Sequence, residues 1–290
     1  LKTKGWELTI GWQDRTNFGM GYGIKFNVSD ARTYIDRYPG NPTNSINTYI
    51  AGREIGEIWG FETVGIAKTD DEMQAHLNKV GGQSAIGSGV WTAGDIMYAD
   101  QDGKPGITKG AQTLEDHGDL KVIGNNTPRY HFGLDLNANY KGFDVRLFFQ
   151  GVMKRDYWQG SNIFWGVGQW GMWWSTGLKE HEDYFRDEPV GLAGHEIAAN
   201  VNSYYARPRF DSTQNQETQT RYLQDASYIR LKNFQLGYTL PASMIRKIGI
   251  TNCRIFVSGV NLWTGTKLSK LFDPETISLS LIHISEPTRL

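Results

Sequence analysis

Tyr130-His131-Phe132-Gly133-Leu134-Asp135-Leu136-Asn137-Ala138-Asn139-Tyr140, then Lys141-Gly142, then Phe143-Asp144-Val145-Arg146-Leu147-Phe148-Phe149-Gln150: this stretch decides the fold. Tyr130, Phe132, Leu134, Leu136, Ala138 and Tyr140 alternate with His131, Gly133, Asp135, Asn137 and Asn139. After the Lys-Gly link, Phe143, Val145, Leu147 and Phe149 alternate with Asp144, Arg146 and Gln150, with Phe148 the exception. Side chains along a strand point to opposite faces in turn, so this period of two predicts two strands, each apolar on one face and polar on the other.

The same pattern recurs outward in both directions. Trp6, Leu8, Ile10 and Trp12 form one alternating set, and Phe18, Met20, Tyr22, Ile24, Phe26 and Val28 another, with Gly19, Gly21 and Gly23 between them. Phe234, Leu236, Tyr238 and Leu240 keep the alternation, but Ile229 and Leu231 fall on the opposite parity. A bulge near Lys232 or Asn233 reconciles the two halves. Residues 254–262 are apolar on both parities and give no facing.

Alternation alone also suits a soluble sandwich, and the connections discriminate better. The links 13–17, 141–142 and 241–249 are short, whereas 29–129 and 153–227 are very long, and short and long take turns. Every long loop therefore leaves at one end of the strands. Outer-membrane barrels have that asymmetry, with short periplasmic turns and longer extracellular loops. Sandwiches place loops at both ends and seldom carry such long ones. The expected fold is all-β: a transmembrane antiparallel β-barrel, here an incomplete portion forming an open curved sheet. Trp6, Trp12, Tyr130, Tyr140, Phe143 and Trp263 lie near strand ends, where an interfacial aromatic girdle belongs.

Composition narrows the function classes. A net charge of -1 with 21% charged residues leaves no electrostatic footprint for nucleic acid. No apolar run approaches the ~18 residues of a spanning helix. Aromatics at 13% and 34 Gly against nine Pro favour strands and close backbone approaches. The lone Cys253 excludes a disulfide framework and a multi-thiolate metal site. No initiating Met or apolar leader precedes the first strand near Gly5-Trp6, so the chain reads as cut from something longer.

Several motifs, in order, resemble the SusC/RagA-like TonB-dependent transporters. Gly52-Arg53-Glu54-Ile55-Gly56-Glu57-Ile58-Trp59-Gly60-Phe61-Glu62-Thr63 resembles that family's G-x-x-IGEIWGY-x-T signature. Ile123-Gly124-Asn125-Asn126-Thr127-Pro128-Arg129-Tyr130, Lys141-Gly142-Phe143-Asp144, Phe148-Phe149-Gln150-Gly151 and Lys154-Arg155-Asp156 follow. Next come Tyr222-Leu223-Gln224-Asp225-Ala226-Ser227-Tyr228-Ile229-Arg230-Leu231-Lys232-Asn233, Leu236-Gly237-Tyr238-Thr239-Leu240-Pro241 and Ser258-Gly259-Val260-Asn261-Leu262. The resemblance covers nearly all of residues 1–278 and identifies them as the C-terminal part of the barrel. It implies a barrel of about 22 strands with a plugged lumen, embedded in outer-membrane lipid and importing oligosaccharides or peptides. It further implies a SusD-like surface lipoprotein as lid and TonB as energy source through an N-terminal region that this chain lacks. It implies neither an enzyme nor a cofactor. From Leu279 onward the family pattern stops, and Leu281-Ile282-His283-Ile284-Ser285-Glu286-Pro287-Thr288-Arg289-Leu290 resembles translated sequencing-adapter read-through, so 279–290 is expected to be a non-native tail.

The candidate substrate-binding residues are Tyr157, Trp158, Trp165, Trp170, Trp173 and Trp174, spaced by Gly, Ser and Asn in one long loop. Flat sugar faces stack on such rings while neighbouring polar groups bind hydroxyls; packing within the loop or against a lid is the alternative use of the same rings. Asp100-Gln101-Asp102-Gly103-Lys104 resembles the family's D-x-[DN]-G-D-G loop, but Lys104 stands where an acid is often found. A plain Asp-Gly turn is the expected reading, and no metal site is assigned. Asp116-His117-Gly118-Asp119 has no nucleophile placed near it and reads as structural. A secreted β-sandwich carbohydrate-binding module and a peptide-importing transporter are the alternatives to glycan import. A glycoside hydrolase ranks third, since it needs two carboxylates at a defined separation that sequence spacing does not reveal.

Overall fold

The computed structural model describes residues 1–87, 89–166, 177–209, 212–246 and 249–277. The expected tail 279–290 lies outside them, as do Trp170, Trp173 and Trp174. Along the described residues run β1 (Lys2–Arg15), β2 (Gly21–Tyr34), β3 (Glu57–Phe61), β4 (Thr63–Ile66), α1 (Asp70–Val80), β5 (Ile96–Tyr98) and β6 (Leu120–Asn125). β7 (Arg129–Tyr140), β8 (Phe143–Lys154), β9 (Asp156–Tyr157), β10 (Gln224–Asp225), β11 (Tyr228–Thr239) and β12 (Arg254–Thr266) follow. They divide into a sheet unit, drawn from 2–33, 127–156 and 225 onward, and a loop unit, drawn from 34–126 and 157–224.

The sheet unit is one six-stranded sheet in the order β1-β2-β7-β8-β11-β12. Register aligns the apolar positions into rows. Ile24 opposes Leu136, Leu136 opposes Leu147, and Leu147 opposes Phe234. Phe26, Leu134 and Phe149 form the next row on that face. On the other face Asn137 opposes Arg146, which opposes Gln235, and Arg146 reaches diagonally to Asp135 at 2.5 Å. A slip of one residue would exchange the faces, so the alternation itself sets the register.

The bulge expected near Lys232 or Asn233 is present. β11 shifts register between Leu231 and Asn233 against both neighbours, β8 and β12. One extra residue there lets Ile229 and Leu231 share a strand with Phe234 and Leu236 despite their opposite parity. The β7–β8 link is a two-residue turn with both central residues at positive φ, Lys141 at 47° and Gly142 at 88°. That geometry matches the strand twist, and glycine adopts it without strain.

Topology places the long connections together. Ser29 opposes His131, His131 opposes Val152, and Val152 opposes Tyr228, so β2 and β8 end, and β7 and β11 begin, along one row. Both long insertions leave the sheet and return to it at that end. The short turn 141–142 lies at the other end, where Phe143 meets Tyr238 at 4.4 Å and Phe18 meets Tyr140 edge-on at 5.7 Å. β1 is exposed throughout, with Trp6, Leu8, Ile10 and Trp12 all open, and β12 exposes Ile255, Val257, Val260 and Leu262. Among the described residues, β1 and β12 are the sheet's edges.

The loop unit has its own core. β3 pairs with β6 and β4 with β5, both antiparallel. α1 begins where the Thr69 hydroxyl accepts from the Glu72 amide at 3.1 Å, carries Asp70, Asp71 and Glu72 in its first turn, and ends at Gly81 in the left-handed region. Those are the capping and dipole preferences of a helix. Phe61, Met73, Ile96, Tyr98 and Ile107 are fully buried beside it, with Phe61 and Tyr98 rings 5.0 Å apart. The Tyr98 hydroxyl donates to the Gln214 carbonyl at 2.7 Å, tying the second long insertion to the first.

Candidate ligand-binding site

The second half of the loop unit is built on aromatic side chains. Phe164 packs on Trp165 and Tyr205 at 4.9 and 5.4 Å, and Trp165 and Tyr205 both pack on Tyr222. Tyr222 is fully buried, and its hydroxyl accepts from the Ala206 amide at 2.7 Å. Burial pushes the Tyr222 hydroxyl up to about 12 and likewise raises that of Tyr205, because a phenolate would lose its hydration. A short hairpin adjoins this cluster: Arg186 and Asn200 exchange main-chain bonds at 3.1 and 2.7 Å, and Val190 and Ile197 at 3.0 and 2.8 Å.

Cluster and hairpin flank a half-open cavity of about 460 Å³. That is within the usual size of small-ligand pockets, roughly 300–1,000 Å³. Rings of Trp165, Tyr184, Phe185 and Tyr205 and guanidinium-bearing Arg186, Arg207 and Arg209 line it, with Asp187 as the acid among them. Arg209 binds the fully buried Asp95 through Nε at 2.7 Å and Nη2 at 2.5 Å. Asn215 Nδ2 and the Thr92 amide also donate to Asp95, each at 2.8 Å. Arg207 binds Asp187 at 2.6 Å and lies over the Phe185 ring. The Arg207 hydrogen bond holds the Asp187 carboxyl below its usual range. Arg186 is different. Only 7% exposed, it donates to the carbonyls of Ala198, Glu182 and Tyr184 and stacks over the Tyr184 ring at 4.4 Å.

Of the residues singled out in the sequence, Trp165 borders this cavity and also packs into the aromatic cluster. Trp158 is half-buried with its ring 6.2 Å from that of Trp165, and Tyr157 lies half-buried in β9. Trp170, Trp173 and Trp174 fall outside the described residues. The cavity's arginines were not anticipated. Arg186-Asp187 and Arg207-Pro208-Arg209 are short charged clusters beside aromatic residues, and that is the signal that was present.

Two further features have local explanations. Carboxylate oxygens of Asp100, Asp102 and Asp119 lie within 4.8 Å of one another. Asp119 accepts from the Gln101 and Thr108 amides at 2.8 Å each, Asp100 from the Gly103 amide, and Asp102 from the Lys104 amide. The Lys104 ammonium stands 3.1 Å from Asp102. Main-chain amides and Lys104 thus supply the positive charge that a cation would otherwise bring, in keeping with a plain turn. His117 packs against the Trp59 ring at 5.4 Å, and Asp116 accepts from the Ala111 amide at 3.1 Å, both structural uses.

No protein-family model matches the chain. It is 27% identical over 278 residues to TonB-dependent receptor P3 of Formosa agariphila, a match covering 92% of this chain and 24% of that protein. TonB-dependent receptor P26 of the same organism is 26% identical over 200 residues, covering 64% of this chain and 18% of its own length. Among solved structures, the RagAB peptide transporter superposes with a TM-score of 0.56 at 19% identity, over 94% of this chain and 26% of that one. The RagAB peptide importer in its open-open state superposes with a TM-score of 0.58 at 21% identity, over the same shares. The chain spans about a quarter of the length of the first relatives it matches. It is a homologue of TonB-dependent receptors with the fold of an outer-membrane transporter barrel, of which its six-stranded sheet is an incomplete part.

Proposed function

We propose that this homologue of TonB-dependent receptors forms the C-terminal part, residues 1–278, of a barrel that imports oligosaccharides across the outer membrane. The proposal includes a SusD-like surface lipoprotein as lid, and TonB coupling through a region outside this chain. The residues 279–290 are taken as a tail foreign to that barrel. The observation that carries the reading is the aromatic-walled cavity in a loop unit whose two insertions spring from one end of a transmembrane sheet. Ligand arrives at that end, and flat rings with a few polar groups suit sugars. The Trp-bearing segment, with Tyr157, Trp158, Trp165, Trp170, Trp173 and Trp174, contributes contacts there. Catalysis is not part of the reading.

Peptide import is the second reading, favoured by the description of the structurally similar RagAB as a peptide transporter. At 19% identity that likeness concerns the fold. Uptake by cells carrying the full-length transporter separates the two. Labelled oligosaccharides should enter and oligopeptides of similar mass should not. Ala substitution of Trp158 and Trp165 together should lower glycan uptake while outer-membrane abundance holds. Loss of abundance along with uptake would assign these rings to internal packing, and peptide uptake alone would replace the glycan reading.

A further inference from the structure

We infer that the loop-unit cavity binds an anionic sugar, a uronate or sulfated residue of an oligosaccharide, with Arg186 facing its charge and the half-buried rings of Trp165 and Tyr184 its ring faces. The inference rests on the glycan-import reading above and narrows it to a substrate class.

Charge is the first ground. Three guanidinium groups line the cavity against one carboxylate. Arg207 is neutralised by Asp187 and Arg209 by the buried Asp95. Arg186 meets three main-chain carbonyls and, among the described residues, no carboxylate. Carbonyl dipoles orient a guanidinium but leave its unit charge uncancelled. A cation that is 93% buried and bordering a void favours an anion in that void, because water there hydrates it poorly. A planar guanidinium also matches a carboxylate or sulfate through paired donors.

Wall chemistry is the second ground, and it separates a sugar from a peptide. One common way to hold an extended peptide is through main-chain bonds to a free backbone edge. Around this cavity several amides are engaged: Phe185 with Tyr205, Arg186 with Asn200, Val190 with Ile197, Tyr205 with Asp183, and Arg207 with Gly94. The Ala206 amide is taken by the Tyr222 hydroxyl. Rings, guanidinium groups and the polar side chains of His181, Ser212, Asn215 and Gln216 make up the rest of the lining. Aromatic faces accept the C–H side of a sugar ring, and Arg186 meets its acid substituent.

The test uses the purified full-length transporter on an array of uronate-bearing, sulfated and neutral oligosaccharides together with acidic peptides of matching length, followed by calorimetry on the strongest probe. Acidic sugars should bind and neutral ones of the same size should not. The uronate and sulfate arms then tell which anion is preferred. Raising NaCl from about 50 to about 500 mM should weaken binding roughly tenfold, since charge carries it. Arg186→Met should weaken it by tenfold or more at unchanged outer-membrane abundance. If Arg186→Met lowers abundance because the hairpin needs its carbonyl contacts, Arg186→Gln, which removes the charge and keeps an amide donor for those carbonyls, decides by the same criterion. Neutral glycans binding as tightly as acidic ones, or acidic binding that survives the deciding variant, would overturn the inference and leave glycan import standing. Binding of acidic peptides in place of any glycan would overturn both.

Discussion

The Asp95–Arg209 pair allows a quantitative test of how the cavity wall is held. Asp95 has no exposed surface and accepts four hydrogen bonds, from Arg209 Nε and Nη2, Asn215 Nδ2 and the Thr92 amide. The Arg209 side chain is 16% exposed. Asp95→Asn keeps the shape, removes the charge and turns an amide donor toward groups that themselves donate. Breaking a buried pair from one side costs about 3–5 kcal/mol, because the surviving charge stays buried. In the full-length transporter this should appear as faster proteolysis of the loop unit under native conditions. Where opening is fast compared with cleavage, the rate follows the open population, so that cost raises it by roughly 10² to several 10³-fold. Arg209→Met should cost at least as much, because it leaves the fully buried Asp95 charge behind, and the double variant should be more stable than either single one. The coupling measured by the cycle should exceed about 1.5 kcal/mol. Additive effects, with coupling below about 0.5 kcal/mol, would refute the view that the wall is fixed by this ion pair.

Three further outcomes follow from the geometry. Tyr222 has a folded-state pKa raised to about 12 against an ordinary value of 10.0, so the stability tied to its protonated form is complete below pH 10 and lost as pH rises through about 12; tyrosinate absorbance should show it titrating after the exposed tyrosines, and Tyr222→Phe should flatten the loop unit's stability profile in that window. Deleting Lys232 removes the bulge and moves 228–231 to opposite faces. Arg230 would leave Asp273 and Glu275, a one-sided break worth about 3–5 kcal/mol, and folded-barrel abundance should fall sharply. Thr69→Ala deletes the cap of α1 and should cost about 1 kcal/mol locally, read as faster amide exchange at its first turn.

The sheet was legible because most of its strands repeat one rule, although 254–262 is apolar on both parities. A lipid-facing residue every second position is a local pattern, and it survives without knowledge of the partner strand. The mismatch at Ile229 and Leu231 was informative for the same reason: only an inserted residue puts both parities on one face, and the register shifts there. The loop unit follows no such period. Its helix was nonetheless announced by Thr69 three residues before Glu72 and by Gly81 at the far end, the start and stop signals of a capped helix. Between those signals the eleven residues carry only a weak apolar stripe, with Met73 and Val80 buried, so periodicity alone does not mark the helix.

The site divides along the same line. Trp-rich composition marked a segment from sequence because five large rings within a short span stand out whatever the fold. The charged half of the cavity depends instead on long-range closure. Arg209 and Asp95 are 114 residues apart, and each alone is an ordinary surface-type residue. Arg186 becomes distinctive only once the hairpin turns its guanidinium onto carbonyls and away from carboxylates, which no spacing rule foretells. On the proposed reading, the aromatic content bears on the shape of the ligand and the folded arrangement of arginines on its charge. The two properties meet at Trp165, which borders the cavity and packs into the ring cluster behind it. A substitution there should disturb wall and ligand together, whereas Arg186→Gln should disturb the proposed charge partner and leave the aromatic cluster intact.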